Sequence, residues 1–311
     1  MMSNSSILIT ILIIGRNTSK QLKELLDSIE SQKLRTKKNI DILYIDDAST
    51  DSSVSTFKLH SSRFSKKCIE NSVNLGRSAS RNRGIKNSKG KHIIFLNSNV
   101  KIVGYDLLES YAQAISEGID AGFGRVLYKS KDKHFEKYLN HQYRGSNSAT
   151  NYSAISPSIC LFSNCLVKKS ILEKVGLFDE KLTNYGGEET DLAYRIYKDA
   201  NTSLTHVSDA VILRAEHPGA LEHARRLEKF GRNNFQILNH DVKKMILPYG
   251  LYSPPDFMYY PIYILLLFAR SVLRYPLLLL SSRTTFRLLL GLYIYIGIYK
   301  FYIFNNEKIN D

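Results

Sequence analysis

Three short stretches carry residues that could do chemistry. In "IFLNSNV" (94–100) an apolar run stops at Asn97-Ser98-Asn99, two amides and a hydroxyl where a catalytic loop would be expected to carry carboxylates. An amide oxygen can coordinate a hard cation but brings no charge to it. The stretch is therefore the remnant of a metal site, a working variant of one, or an ordinary turn. "ILYIDDASTDSS" places Asp46 and Asp47 at the end of another apolar run, and ionised carboxylates only accept hydrogen bonds. "GGEETD" sets Glu188, Glu189 and Asp191 just after paired glycines.

The elements around these stretches predict how they are held. "ILITILII" is continuously apolar and β-branched, which predicts a central strand, Ile7–Ile14, buried on both faces. It has neither the basic start nor the small-residue cleavage site of a signal peptide. Leu22, Leu25, Leu26 and Ile29 recur at helical spacing behind Ser19, an expected N-cap. "IDILYI" predicts a second strand, "ASTDSS" a turn, and a poorly defined helix follows. Further on come a helix over Ser78–Asn87, a strand "KHIIFL", a helix over Tyr105–Ser116 and a strand "AGFGRVLY".

Strands alternating with helices imply a doubly wound, mostly parallel sheet, in which ligands sit outside the carboxyl ends of the strands. Asp46-Asp47 and Asn97-Ser98-Asn99 both lie at such ends. Residues 128–156 are polar and without period, an expected loop or short helix facing an acceptor. "SILEKVGLFDEKL" gives a short helix and a turn, and "GGEETDLAYRIYKDA" enters an amphipathic helix with Leu192, Ile196 and Tyr197 on its apolar side.

The 311 residues carry 43 Lys and Arg against 29 Asp and Glu, a formal charge of +14. Such a surplus suits nucleotides, nucleic acid or an acidic membrane surface, or serves solubility alone. No nucleic-acid-binding module is recognisable, so phosphate and anionic lipid are the better partners. Cys68, Cys160 and Cys165 fit neither a disulfide framework nor a zinc pattern, which favours a reducing compartment. "LEHARRLEKFGRNN" (221–234) predicts a basic amphipathic helix, resting on headgroups or simply solvated. Beyond residue 255 the chain is apolar, Tyr-rich and studded with arginine. Its apolar runs of about 10–14 residues fall short of the roughly 20 that span a bilayer. Arg270, Arg274, Arg283, Arg287 and Lys300 sit where they can snorkel. Helices lying in or re-entering one leaflet are expected, with a packed helical cap or a tilted spanning hairpin as alternatives.

"IIGRN…LKELLDSIESQ", "ILYIDDASTDSS", "NLGRSASRNRGIKNSKGKHIIFLNSN" and "VGLFDEKLTNYGGEETDLAYRI", in that order, resemble the family 2 inverting glycosyltransferases of the GT-A fold. The resemblance covers roughly residues 7–217 and implies an α/β GT-A (nucleotide-diphospho-sugar transferase) sheet, mostly parallel and flanked by helices. Three regions are expected: a GT-A domain over 1–218, a basic helix and connection over 219–255, and membrane-associated helices over 256–311.

By this resemblance Asp46 and Asp47 hold the base and ribose of a nucleotide, with Asp47 at the base's N–H, and Gly15, Arg16 and Asn17 lie beside the base. Glu189 stands where the family has its catalytic Asp, and Glu188 matches the preceding Glu in a supporting or alternative role. Asp191 matches a further acid that orients the helix or the acceptor. Asn97, Ser98 and Asn99 replace the Asp-X-Asp triplet whose last acid usually ligates Mg2+ or Mn2+.

Either a metal still binds through the diphosphate, Asn99 and His217 (or Arg214 in the histidine's place), or Arg77, Arg81 or Arg83 offsets the diphosphate's charge, or the site is inactive. The resemblance implies an inverting hexosyl- or N-acetylhexosaminyltransferase. It would use a nucleotide-diphosphate sugar, UDP-linked, and a hydroxyl acceptor on an envelope glycan or lipid-linked saccharide. Its place would be the cytoplasmic face of the cell membrane, held through residues 256–304. The alternative is a non-catalytic nucleotide-sugar-binding or scaffolding subunit.

Overall fold

The computed structural model describes residues 9–35, 39–142, 144–247, 255–280 and 282–306. Ile7 and Leu8 of the expected first strand, the end of the expected 219–255 connection (248–254), and residues 307–311 lie outside the described residues.

The chain begins β1 (Ile9–Gly15), α1 (Ser19–Glu30), β2 (Ile40–Asp46), α2 (Ser53–Leu59), β3 (Ser65–Glu70), α3 (Gly76–Asn87) and β4 (His92–Asn97). It continues β5 (Lys101–Ile102), α4 (Leu107–Ser116), β6 (Ala121–Ser130), α5 (Lys133–Leu139), β7 (Asn164–Lys168), α6 (Lys169–Lys174), α7 (Glu188–Lys198) and β8 (Thr205–His217). Helices complete it: α8 (Ala220–Arg232), α9 (Asn234–Ile237), α10 (His240–Ile246), α11 (Tyr259–Leu280) and α12 (Arg283–Asn306).

The eight strands form one sheet in the order β3-β2-β1-β4-β7-β6-β8-β5. The β3-β2-β1-β4 half is parallel, whereas β7 runs antiparallel to both β4 and β6, and β5 antiparallel to β8. This is the expected α/β GT-A architecture. The β1 and β4 strands are buried along nearly their whole length, as their unbroken apolar sequence requires. Leu12, Leu43, Phe95, Phe123, Phe162, Phe178, Leu192 and Ile196 share one core. Each such side chain contributes about 1.5–3 kcal/mol by leaving water.

Three expectations change. Ser19 is the first helical residue of α1 and Thr18 its N-cap, without a side-chain capping bond. Tyr197 is 52% exposed and does not join Leu192 and Ile196 in the core. The apolar tail forms unbroken helices of 22 and 24 residues, because α11 continues through Arg270, Arg274 and Pro276.

The chain divides into two compact units. One holds Met1–Lys129, Gln142–Glu180 and Glu189–Glu216; the other holds Ser130–His141, Lys181–Glu188 and His217–Asp311. In the second unit α12 lies along α8. A Cβ on Gly231 would collide with the carbonyl oxygen of Ile294, and one on Gly297 with that of Glu228, so the backbones touch. Phe286, Leu289, Ile294, Ile298 and Tyr299 of α12 are buried. Among the described residues, Tyr259–Leu280 and Arg283–Phe304 are long and apolar enough to cross a membrane.

Candidate active site

In the first unit a cleft of about 200 Å3 opens at the carboxyl ends of β1, β2 and β4. Ile14, Gly15, Arg16, Thr18, Asp47, Arg77, Ser80, Asn97, Ser98, Asn99 and Arg214 line it. It sits where the strand order reverses, since the chain leaves β1 for β2 on one side and returns to β4 on the other.

The end of β4 is fixed by its middle residue. Ser98 is 2% exposed, its N–H donates to the Ile14 carbonyl at 2.8 Å, and its hydroxyl shares a 2.6 Å hydrogen bond with Thr18. Any side chain on Gly15 would overlap Ser98. With Ser98 turned inward, Asn97 is half-buried and Asn99 exposed at the cleft.

The end of β2 is fixed by its acids. Asp46 is 2% exposed and accepts from the Tyr44 hydroxyl at 2.9 Å, the Ser49 hydroxyl at 2.6 Å and the Ser49 N–H at 2.8 Å. Burial, and then the charge of Asp46, push the Tyr44 hydroxyl's pKa far up. Asp47 reaches the cleft, yet it accepts from Asn71 Nδ2 at 2.9 Å, Leu75 N–H at 2.8 Å and Gly76 N–H at 3.0 Å. It thus ties β2 to the start of α3, where N–H groups lack helical partners.

Arg16 borders the cleft and donates to the Ala48 carbonyl at 3.4 Å. Asn17 has a left-handed φ of 52° and accepts from Thr50 N–H at 2.7 Å, so it braces the turn after β2 and is not among the cleft-lining residues.

Glu189 is joined to this strand end through one buried cation. Arg81, 1% exposed, donates to Glu189 Oε1 at 2.6 Å and to Asn97 Oδ1 at 3.3 Å, with its guanidinium 5.1 Å from the Phe178 ring centre. Arg81 is therefore committed to Glu189, and it is not among the residues lining the cleft. Arg83 donates to the Glu70 carbonyl and to Asn71. Of the three arginines near α3, only Arg77 reaches the cleft, and Arg214 joins it from β8.

Asp191 pairs with Arg195 at 2.7 Å, and Arg195 also donates to the Val175 and Leu177 carbonyls. It braces α7 against the loop before it. Glu188 and His217 belong to the second unit. Glu188 is 2% exposed, and His217 packs among Phe135 and His223 with its Nδ1 2.9 Å from the Pro218 carbonyl. There too Gly186 and Gly187 have φ of 87° and 91° and lie against Phe230. Backbone conformation and close packing require these glycines.

Asn71 and Ser80 were not legible as site residues. Asn71 Nδ2 donates to Asp47 and also to Ser80 at 2.9 Å. Its place just after a strand is the signal, but β3 has to be recognised first.

The strand-end residues do not fit a divalent cation by themselves. Asn97 Oδ1 already accepts from a guanidinium, and Asn99 offers one neutral oxygen. Among the described residues no group of three or more His, Cys, Asp or Glu could hold a metal ion.

A mixed, doubly wound sheet with a cleft at the β1/β4 reversal is a nucleotide-binding type of α/β architecture, and the family match identifies it as the GT-A fold. The glycosyl transferase family 2 pattern matches residues 10–176, and the chain belongs to that family. It is 32% identical over 120 residues to the poly(ribitol-phosphate) beta-glucosyltransferase of Bacillus spizizenii, covering 38% of this chain and 19% of that protein. It spans less than a fifth of the length of the curated relatives it matches.

Among solved structures, a Pyrobaculum calidifontis mannosyltransferase in complex with GDP-Man and Mn2+ superposes with TM-score 0.60 at 17% identity, over 96% of this chain and 87% of that one. S. aureus TarS 1–349 in complex with UDP gives 0.55 at 17% identity, over 94% and 90%.

Proposed function

We propose that this chain transfers a hexosyl or N-acetylhexosaminyl group, with inversion, from a UDP-linked donor to a hydroxyl of an envelope glycan or lipid-linked saccharide. The observation that carries the reading is Glu189, a carboxylate tied through Arg81 to Asn97 at the donor cleft. Glu189 Oε1 is held by Arg81, and Oε2 takes the acceptor's proton as the acceptor oxygen attacks the anomeric carbon. The bond from that carbon to the diphosphate breaks in the same in-line displacement, which inverts the centre. Arg77 and Arg214 offset the charge on the departing nucleoside diphosphate. Asp47 and the backbone of Gly15 and Arg16 border the nucleotide, and Asn99 lies beside the diphosphate without a metal step.

The Bacillus relative's activity, glucosyl transfer to poly(ribitol-phosphate), supports a polymeric hydroxyl acceptor, and UDP in the TarS complex supports the uridine donor. The second unit holds the protein at the cytoplasmic face of the membrane through residues 256–304. α12 docks on α8, which carries Arg225, Arg226, Lys229 and Arg232, and such a helix does not enter hydrocarbon. The hairpin accordingly lies along the membrane surface and does not cross it.

Glu189→Gln is expected to lower transfer about 10²–10⁴-fold while UDP-sugar binding persists. Donor turnover is measured with Mn2+ and with chelator. No turnover by the unsubstituted chain in either condition would leave the non-catalytic nucleotide-sugar-binding subunit as the reading.

A further inference from the structure

In the second unit a cavity of about 440 Å3 is lined by Arg225, Glu228, Arg270, Ser271, Arg274 and Tyr293. Three arginines and one carboxylate line it, Arg270 pairing with Glu228 and the Arg274 guanidinium lying 4.4 Å from the Tyr275 ring centre. That carboxylate is shared, because Glu228 lies 3.6 Å from both Arg270 and Lys300. The cavity is thus cationic, with Ser271 and Tyr293 adding hydroxyl groups at its wall.

Apart from Ser271 and its tyrosines, the rest of the helix that supplies two of these arginines is apolar. Leu265, Phe268, Val272, Tyr275 and Leu279 follow one another at spacings of three, four, three and four residues, so they form one stripe along α11. These five side chains are 51–82% exposed. At 3.6 residues per turn, Arg270 falls opposite the stripe, and Arg274, one turn on, lies at its border with Tyr275 and points away from the other four. A helix bearing such a stripe lies at the boundary between acyl chains and headgroups. Its other side then stands roughly 10 Å higher, about one helix diameter, at the depth of the lipid phosphates. The forked guanidinium matches phosphate oxygens in pairs.

We propose that the cavity of Arg225, Arg270 and Arg274 seats the phosphate of an anionic phospholipid headgroup, while the α11 stripe lies among the acyl chains. This rests on the membrane-surface part of the proposed function and adds to it a defined lipid contact. The stripe argues for a lipid over a soluble anion, because apolar and cationic groups alternate on the two sides of one helix. α8 supplies Arg225, so the docked α8–α12 pair gives the seat a rigid wall.

The test is flotation of the full chain with vesicles of phosphatidylcholine alone or mixed with phosphatidylglycerol. The full chain is expected to bind both, and the mixed vesicles more tightly. Changing Arg225, Arg270 and Arg274 together to Gln is expected to lower binding to mixed vesicles about 100-fold and to leave phosphatidylcholine binding in place. Changing the same three to Lys keeps the charge and removes the fork, with an expected loss of about tenfold. Retained phosphatidylcholine binding and an unchanged circular dichroism spectrum show that the second unit of each variant is folded.

Full-strength binding by the Lys variant would mean a diffuse charge effect and overturn the seat. Displacement from vesicles by inorganic pyrophosphate at matched ionic strength would assign the cavity to a soluble anion instead. A chain that binds neither vesicle and self-associates through α11 would overturn both this inference and the membrane reading. Vesicle binding indifferent to the arginines would overturn this inference alone.

Discussion

The ends of β2 and β4 lie side by side across β1 and solve opposite problems. β2 ends on two carboxylates, and both are occupied by hydrogen bonds from the chain itself. β4 ends on two amides and no charge; Ser98 anchors the turn, and Asn99 is left open at the cleft. In this sheet the charged end holds the start of α3 even where Asp47 reaches the cleft, and the neutral end leaves Asn99 exposed there.

The comparison is tested most severely at Arg81, which links the neutral end to Glu189. Arg81→Met leaves Glu189 without its partner and is expected to cost about 3–5 kcal/mol, read as a lowered denaturation midpoint. A midpoint near the original would mean that the pair is not integral to the fold.

Asp47→Asn tests the charged end. It removes a charge that accepts N–H groups at the start of α3, and a stability loss of about 2 kcal/mol is expected in urea titrations. A variant of full stability would show that Asp47 does not hold the start of α3. Asn99→Asp sharpens the contrast by placing a carboxylate on the open end. Mn2+ is then expected to strengthen UDP binding about tenfold, on the order of 1.4 kcal/mol, in calorimetric titrations with and without the metal. The smallest effect is Asn99→Ala on stability, expected within about 0.5 kcal/mol because the side chain is exposed. A larger loss there would show that the open end also supports the fold.

The parallel half of the sheet was legible because β1, β2 and β4 are apolar runs that end abruptly at polar turns. β3 was not. "SKKCIE" is an edge strand whose burial alternates and whose lysines are those of an edge kept from pairing with other chains. Its loss hid Asn71, and with it the reason Asp47 is engaged.

The carboxylates of the GGEETD stretch were legible as a group but not as individuals. The sequence cannot show that Asp191 faces Arg195 one turn along while Glu189 faces Arg81, more than a hundred residues away. The apolar tail misled by its interruptions: Arg270 and Arg274 break a hydropathy run without breaking a helix, since their side chains leave on one side.

The close approach of α8 and α12 at Gly231 and Gly297 also governs how this protein can be shortened. α8 buries Ala220, Ala224, Phe230 and Gly231, and α12 is the helix laid along it. A chain ending between α10 and α11 would keep α8 and strip away that cover, giving a sticky product whose behaviour on vesicles reports the damage and not the native surface. Any dissection must therefore take α8 and α12 together or leave both in place.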